Sequence, residues 1–76
     1  MQIKPENIKS VRSAVMEVLA EANMPMSAGD ITEAVQAKSG MRSYFLVYSL
    51  VVEAAWDLAA ADQVEITRDW KLCKLN

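Results

Sequence analysis

Apolar and polar positions along this 76-residue chain change their period once. Up to residue 62 the apolar residues recur every three or four positions, and from residue 63 on they alternate with polar ones. The first spacing belongs to helices and the second to strands. The longest apolar run is SYFLVYSLVVEAAWDLAAAD, residues 43–62, and the other elements arrange themselves around it. At about 20 residues it is long for a strand. It holds neither Gly nor Pro, and its second half is rich in alanine, the best helix former. Ser49, Glu53 and Asp57 fall four apart and mark one narrow solvent-facing strip. The otherwise apolar circumference predicts a central helix buried on most sides.

Upstream, Ile8, Val11, Val15, Val18 or Leu19, and Ala22 form one apolar stripe, which predicts a helix over residues 5–22. Pro5 suits its first turn, and Glu6 complements the positive end of its dipole. Asn23 can take a left-handed cap, and Pro25 blocks continuation. Met24, Pro25 and Met26 read as a short extended link. Ser27 and Asp30 then form an S-x-x-D start that serves the free amides of a second helix, residues 28–38. Ile31, Ala34 and Val35 supply its core stripe, and Gly40 ends it.

Downstream, residues 64–67 and 70–75 alternate apolar and polar, which predicts a hairpin. A two-residue loop at Arg68 and Asp69 would set Lys71 opposite Ile66. A three-residue loop of Arg68, Asp69 and Trp70 sets Leu72 there instead. Because one face has to bury, the odd loop is preferred. Trp70 then stands at the hairpin tip. With no Gly in the loop, Asp69 is expected to take the left-handed position.

The order helix, extended link, capped helix, turn, long helix, hairpin resembles the winged helix-turn-helix family. The resemblance covers most of the chain. It is carried by VMEVLAEANMPMSAGDITEAV, residues 15–35, and AAWDLAAADQVEITRDWKLCKL, residues 54–75. It implies a mainly α fold with a C-terminal β-hairpin, namely three helices and a wing in one domain spanning residues 1–76. It also implies that the third helix faces a DNA major groove. Two features depart from the family pattern. The turn from Ser39 to Arg42 runs into an aromatic stretch, and the third helix shows Ser49, Glu53 and Asp57 where a basic, polar face is usual.

Composition narrows the chemistry. The chain has no histidine and one cysteine, so neither a Ser-His-Asp nor a Cys-His triad can be assembled, and no ordinary zinc ligand set exists. Gly29 and Gly40, its two glycines, make no phosphate loop. The expectation is no enzyme, no cofactor and no metal. The carboxylate pairs Glu17 with Glu21 and Glu53 with Asp57 read as solvated helix faces rather than acid–base sites. Cys73 reads as half-buried strand filler, and Met16, Met24, Met26 and Met41 as core filling. A hydrophobic content of 53% supports a core without a disulfide. Glu53 and Asp57 argue against a membrane span for the apolar run. The first ten residues lack an apolar signal core, so the expected location is cytoplasmic.

Net charge is −2 and the sequence pI is near 4.9, which argues against strong non-specific binding of a polyanion. Charge is uneven, however: residues 13–37 hold acids only, whereas residues 38–48 hold only Lys38 and Arg42. The candidate DNA-binding residues are Lys38, Arg42, Ser43, Tyr44, Tyr48, Arg68, Trp70 and Lys71. The arginines and lysines would meet phosphate, and Ser43 or Tyr44 base edges or phosphate. The blander reading puts Phe45 and one tyrosine in the core, and folds Trp70 back on the third helix near Trp56. Two functions follow. The first is a small winged-helix DNA-binding protein, a transcriptional regulator or accessory factor, whose few bases would favour a homodimer formed through surface near Leu46, Leu50 and Ala60. The alternative is an acidic winged-helix module that binds a protein as adaptor or inhibitor and not DNA.

Overall fold

A computed structural model describes residues 5–75, with side chains from residue 11 onward. The expectations for Glu6 and Ile8 concern side chains outside the described residues. The elements run α1 (Pro5–Ala22), β1 (Met26–Ser27), α2 (Ala28–Ser39), α3 (Tyr44–Ala60), β2 (Val64–Ile66) and β3 (Lys71–Lys74). Three helices pack on one another, and the three short strands form one antiparallel sheet in the order β1-β3-β2.

Local chemistry sets each boundary. Asn23 closes α1 with φ 52°, the left-handed conformation that asparagine tolerates. The Ser27 hydroxyl accepts the Asp30 N–H at 3.1 Å and caps α2. Gly40, at φ 72°, ends α2, and its N–H donates to the Gln36 carbonyl at 2.9 Å. The Ser43 hydroxyl accepts the Leu46 N–H at 3.3 Å and caps α3. The link before α2 is more than a spacer: Met26 pairs with Leu72 and Ser27 with Lys71, which turns the expected hairpin into a three-stranded sheet.

The hairpin register is the one that parity requires, with Ile66 opposite Leu72 and Val64 opposite Lys74. The turn differs in one residue from the expectation. Trp70, not Asp69, carries the positive φ of 60°. The Trp70 N–H donates to the Thr67 carbonyl at 3.1 Å, so residues 67–70 make a turn and Trp70 is the bulged residue that ends it. The left-handed position is the last residue of the turn and not one of its central pair, which is why Asp69 escapes it.

The core is aliphatic. Val11, Val15, Val18 and Leu19 of α1, Ile31 and Val35 of α2, and Val47, Leu50, Val51, Ala54, Ala55 and Leu58 of α3 meet Val64 and Leu72 of the sheet. Met16, Met26 and Met41 pack against this cluster, but Met24 is exposed and fills no core. Thr32 is the one buried polar residue among the described side chains, and its hydroxyl donates to the Ala28 carbonyl at 2.7 Å.

α3 corrects the largest expectation. It is half-buried, not buried on most sides. Ser49, Glu53 and Asp57 are exposed as expected, but they lie along one edge of a wider exposed face that also holds Phe45, Tyr48 and Trp56. Leu50, expected beside the surface, is 4% exposed and belongs to the core, so it offers nothing to self-association. A 17-residue helix in a 76-residue domain has too few neighbours to cover its whole circumference.

Candidate functional site

The aromatic residues define the site by their exclusion from the core. The chain has two Trp, two Tyr and one Phe, and none is buried. Phe45 is 82% exposed, Trp70 69%, Trp56 56%, Tyr48 39% and Tyr44 38%. Four of them sit on the outer face of α3, and the fifth stands at the tip of the β2–β3 loop. Aromatic side chains carry the largest apolar payload of any residues and normally anchor cores and interfaces. A domain this small that leaves all five at its surface has built its core without them.

Between α3 and the β2–β3 loop runs an open groove of about 360 Å³. Tyr48, Val52, Ala55 and Trp56 of α3 form one wall, and Ile66, Asp69, Trp70 and Leu72 of the hairpin the other. Ser27, Ala28 and Gly29, at the start of α2, close one side. A side chain in place of Gly29 would meet the Tyr44 hydroxyl at 3.4 Å, so the small residue lets Tyr44 lie close to the start of α2. Tyr44 in turn stacks on Tyr48, with ring centroids 5.9 Å apart, and meets Phe45 edge-on at the same distance.

The hairpin loop is held stiffly. The Thr67 N–H donates to the Lys71 carbonyl at 2.8 Å, and the Lys71 N–H returns a bond to the Thr67 hydroxyl at 3.1 Å. That hydroxyl donates to the Asp69 carboxylate, which also meets the Lys71 ammonium at 3.6 Å. The Thr67 hydrogen bond, helped by the backbone and by Lys71, holds the Asp69 carboxyl below its usual range. Trp70 is thus presented from a fixed loop. It borders the same groove as Trp56, yet it does not fold back to bury itself on α3.

The eight residues expected to meet DNA fall in three places. Lys38 lies at the end of α2 and spans to α1, where its ammonium meets Glu21 at 2.7 Å and Glu17 at 3.8 Å. The Glu21 bond raises the Lys38 pKa above the usual lysine value. The two glutamates are therefore a clamp as well as a solvated face. Arg42 and Ser43 occupy the turn into α3, which the Gln36 side chain braces by donating to the Met41 and Arg42 carbonyls at 3.4 and 3.2 Å. Tyr44 and Tyr48 follow on the first turns of α3. Arg68, Trp70 and Lys71 belong to the β2–β3 loop and its return strand. Among the described residues Arg42 and Arg68 make no ion pair, whereas Arg12 meets Asp57 at 3.2 Å.

Phe45, Val52 and Trp56 were not among the expected site residues, although they line or flank the groove. The sequence carried a signal for them: spacings of seven and four place all three on one helix face. Cys73 is half-buried in β3. Among the described residues no cluster of acids, cysteines or histidines could hold a metal ion, and no single helix is long and apolar enough to cross a membrane. Comparison with known protein families, curated proteins and solved structures finds no match.

Proposed function

We propose that this chain is a winged-helix domain that binds another protein through the outer face of α3 and the β2–β3 wing. The order α1-β1-α2-α3-β2-β3, with β1 added to the hairpin, is consistent with a winged helix. The 113° bend between α2 and α3 lies in the range of about 90–120° typical of a helix-turn-helix. The observation that carries the interaction reading is the exposure of all five aromatic residues, of which Tyr48, Trp56 and Trp70 line one groove while Tyr44 stacks on Tyr48 and meets Phe45. Tyr, Trp and Phe are enriched at protein interfaces, and a small number of such anchors dominates binding energy. The charges of α3 point the same way. Its only charged residues are Glu53 and Asp57, where phosphate recognition would call for Lys or Arg.

Duplex DNA binding is the second reading, and it rests on Arg42 and Arg68, which flank the face without an ion pair to any described residue. One pair of experiments separates the two. Affinity capture from extract is run with the wild type and with Phe45→Ser and Trp56→Ala; fluorescence anisotropy is run with a mixed-sequence duplex at low and moderate salt. The interaction reading expects a captured protein that both variants lose, with no salt-sensitive duplex binding. Micromolar duplex binding that falls steeply with salt and survives both variants would replace it with the DNA reading.

A further inference from the structure

We propose that the groove between α3 and the wing takes an extended, proline-containing segment of the partner with a basic residue at its edge. This rests on the interaction reading and names the occupant.

Four observations lead there. The first is shape. The groove is open and its volume of about 360 Å³ holds a short run of chain. The second is the lining. Tyr48, Trp56 and Trp70 border a floor of Val52, Ala55, Ile66 and Leu72. Aromatic-lined grooves of this composition suit polyproline II segments, whose rings lie flat on indoles and whose stiffness reduces the entropy lost on binding. The third is hydrogen bonding. A polyproline II segment makes no internal hydrogen bonds, so its carbonyls need donors. Indole N–H groups can donate but not accept. The first amides of a helix have no intrahelical acceptor, and Ala28 and Gly29 of α2 line the groove.

The fourth observation is charge. Among the described residues Asp69 is the only charged one lining the groove, where Lys71 meets it at 3.6 Å, and Glu53 on the neighbouring exposed edge of α3 makes no ion pair with a described residue. A basic side chain complements Glu53 and competes with Lys71 for Asp69. The same charges disfavour a second copy as occupant. A two-fold interface presents the same patch from both sides and would bring the acidic edge of one α3 to that of the other.

Trp70 marks the wing side of the groove as a binding element for a reason independent of shape. It holds φ 60°, a conformation strained for a bulky side chain and natural for glycine, while its ring is mostly in solvent. The loop hydrogen bonds hold the backbone in this conformation but need no indole there, so a mostly exposed tryptophan in place of glycine is expected where the ring serves a partner.

The test uses the full chain and a capped nine-residue peptide with a P-x-x-P core and one flanking arginine. Both tryptophans border the groove, so their emission reports occupancy, and NMR shifts of β3 and α3 amides locate it. Saturable binding is expected, weakened about tenfold or more by Trp56→Ala or Trp70→Gly. Replacing the peptide prolines by alanine is expected to weaken it similarly. Asp69→Lys is expected to weaken it several-fold, most at low salt. Trp70→Gly is expected to melt no lower than the wild type, so its loss of binding would not reflect unfolding. No saturation at millimolar peptide, or binding that the groove variants leave unchanged, overturns the proposal. So does displacement of the same amide signals by oligo(dT), which would assign the aromatics to base stacking, or by raising the protein concentration alone, which would assign them to a second copy. If the peptide fails while the captured protein still depends on Trp56, only the occupant is wrong and the interaction reading stands.

Discussion

Trp70 shows how much a single residue can reveal when its backbone and its side chain disagree. A non-glycine residue in the left-handed region costs on the order of 1 kcal/mol. The Trp70 ring recovers little of that, because it is mostly exposed. Trp70→Gly should therefore leave stability unchanged or raise it by up to about 0.5 kcal/mol, once the ~0.5–1 kcal/mol of extra chain entropy of glycine is subtracted. Urea unfolding of the two proteins checks this, and a midpoint that falls would mean that the ring packs. Its neighbour Asp69 gives a second prediction at this scale. Its pKa is lowered by the Thr67 hydrogen bond, so between the folded and the ordinary value the unfolded chain binds more protons. Stability from this loop is then fully present above the ordinary carboxylate range and is lost as pH falls through the depressed value. Asp69→Asn should therefore lower the melting temperature near neutrality and converge on the wild type at the acid end, so that a plot of melting temperature against pH falls less steeply through the carboxylate range.

At the scale of elements, helix periods, caps and strand parity were legible in the sequence because each is a local property. Ser27, Gly40 and Asn23 act where a reader of the chain alone would put them, and the parity of residues 64–75 sets the register of Ile66 on Leu72. β1 was not legible, since two residues such as Met26 and Ser27 carry no period of their own and pair only because β3 lies beside them. The exposed face of α3 was misjudged for a related reason. Period tells which residues share a face, but not how many faces the neighbours cover. Around α3 the polar residues Ser49, Glu53 and Asp57 mark the edge of the exposed arc, and its middle is aromatic. A paired measurement makes this division visible. Leu19→Ala removes a side chain 2% exposed and should cost about 2–5 kcal/mol, enough to leave a domain of this size barely folded. Phe45→Ser removes a larger apolar group, yet it should stay within about 0.5 kcal/mol of the wild type. Equal losses for the two would mean that Phe45 is part of the core.

For the molecule as a whole, where the charges go matters more than their sum. Six bases have described side chains: Arg12, Lys38, Arg42, Arg68, Lys71 and Lys74. Arg12 is held by Asp57, Lys38 by Glu17 and Glu21, and Lys71 by Asp69. Two of these bases tie helices together, Arg12 joining α1 to α3 and Lys38 joining α2 to α1. Exposed pairs of this kind add little stability each, but a base so placed is not available for phosphate without giving up its partner. That leaves Arg42, Arg68 and Lys74 as the described bases without an ion pair. Each phosphate neutralised on duplex DNA contributes about −0.9 to the slope of log affinity against log salt. Three contacts would then give a slope of roughly −3, far from the steep dependence of a dedicated DNA reader. Duplex binding through these described bases should be weak, should show a slope no steeper than that, and should vanish in Arg42→Glu combined with Arg68→Glu. Binding of the proposed protein partner should survive the same double substitution, because the groove lining includes neither arginine. A slope steeper than roughly −3 that the double substitution abolishes, or a partner lost together with the arginines, would move the site from the aromatic groove to the basic turn and the β2–β3 loop.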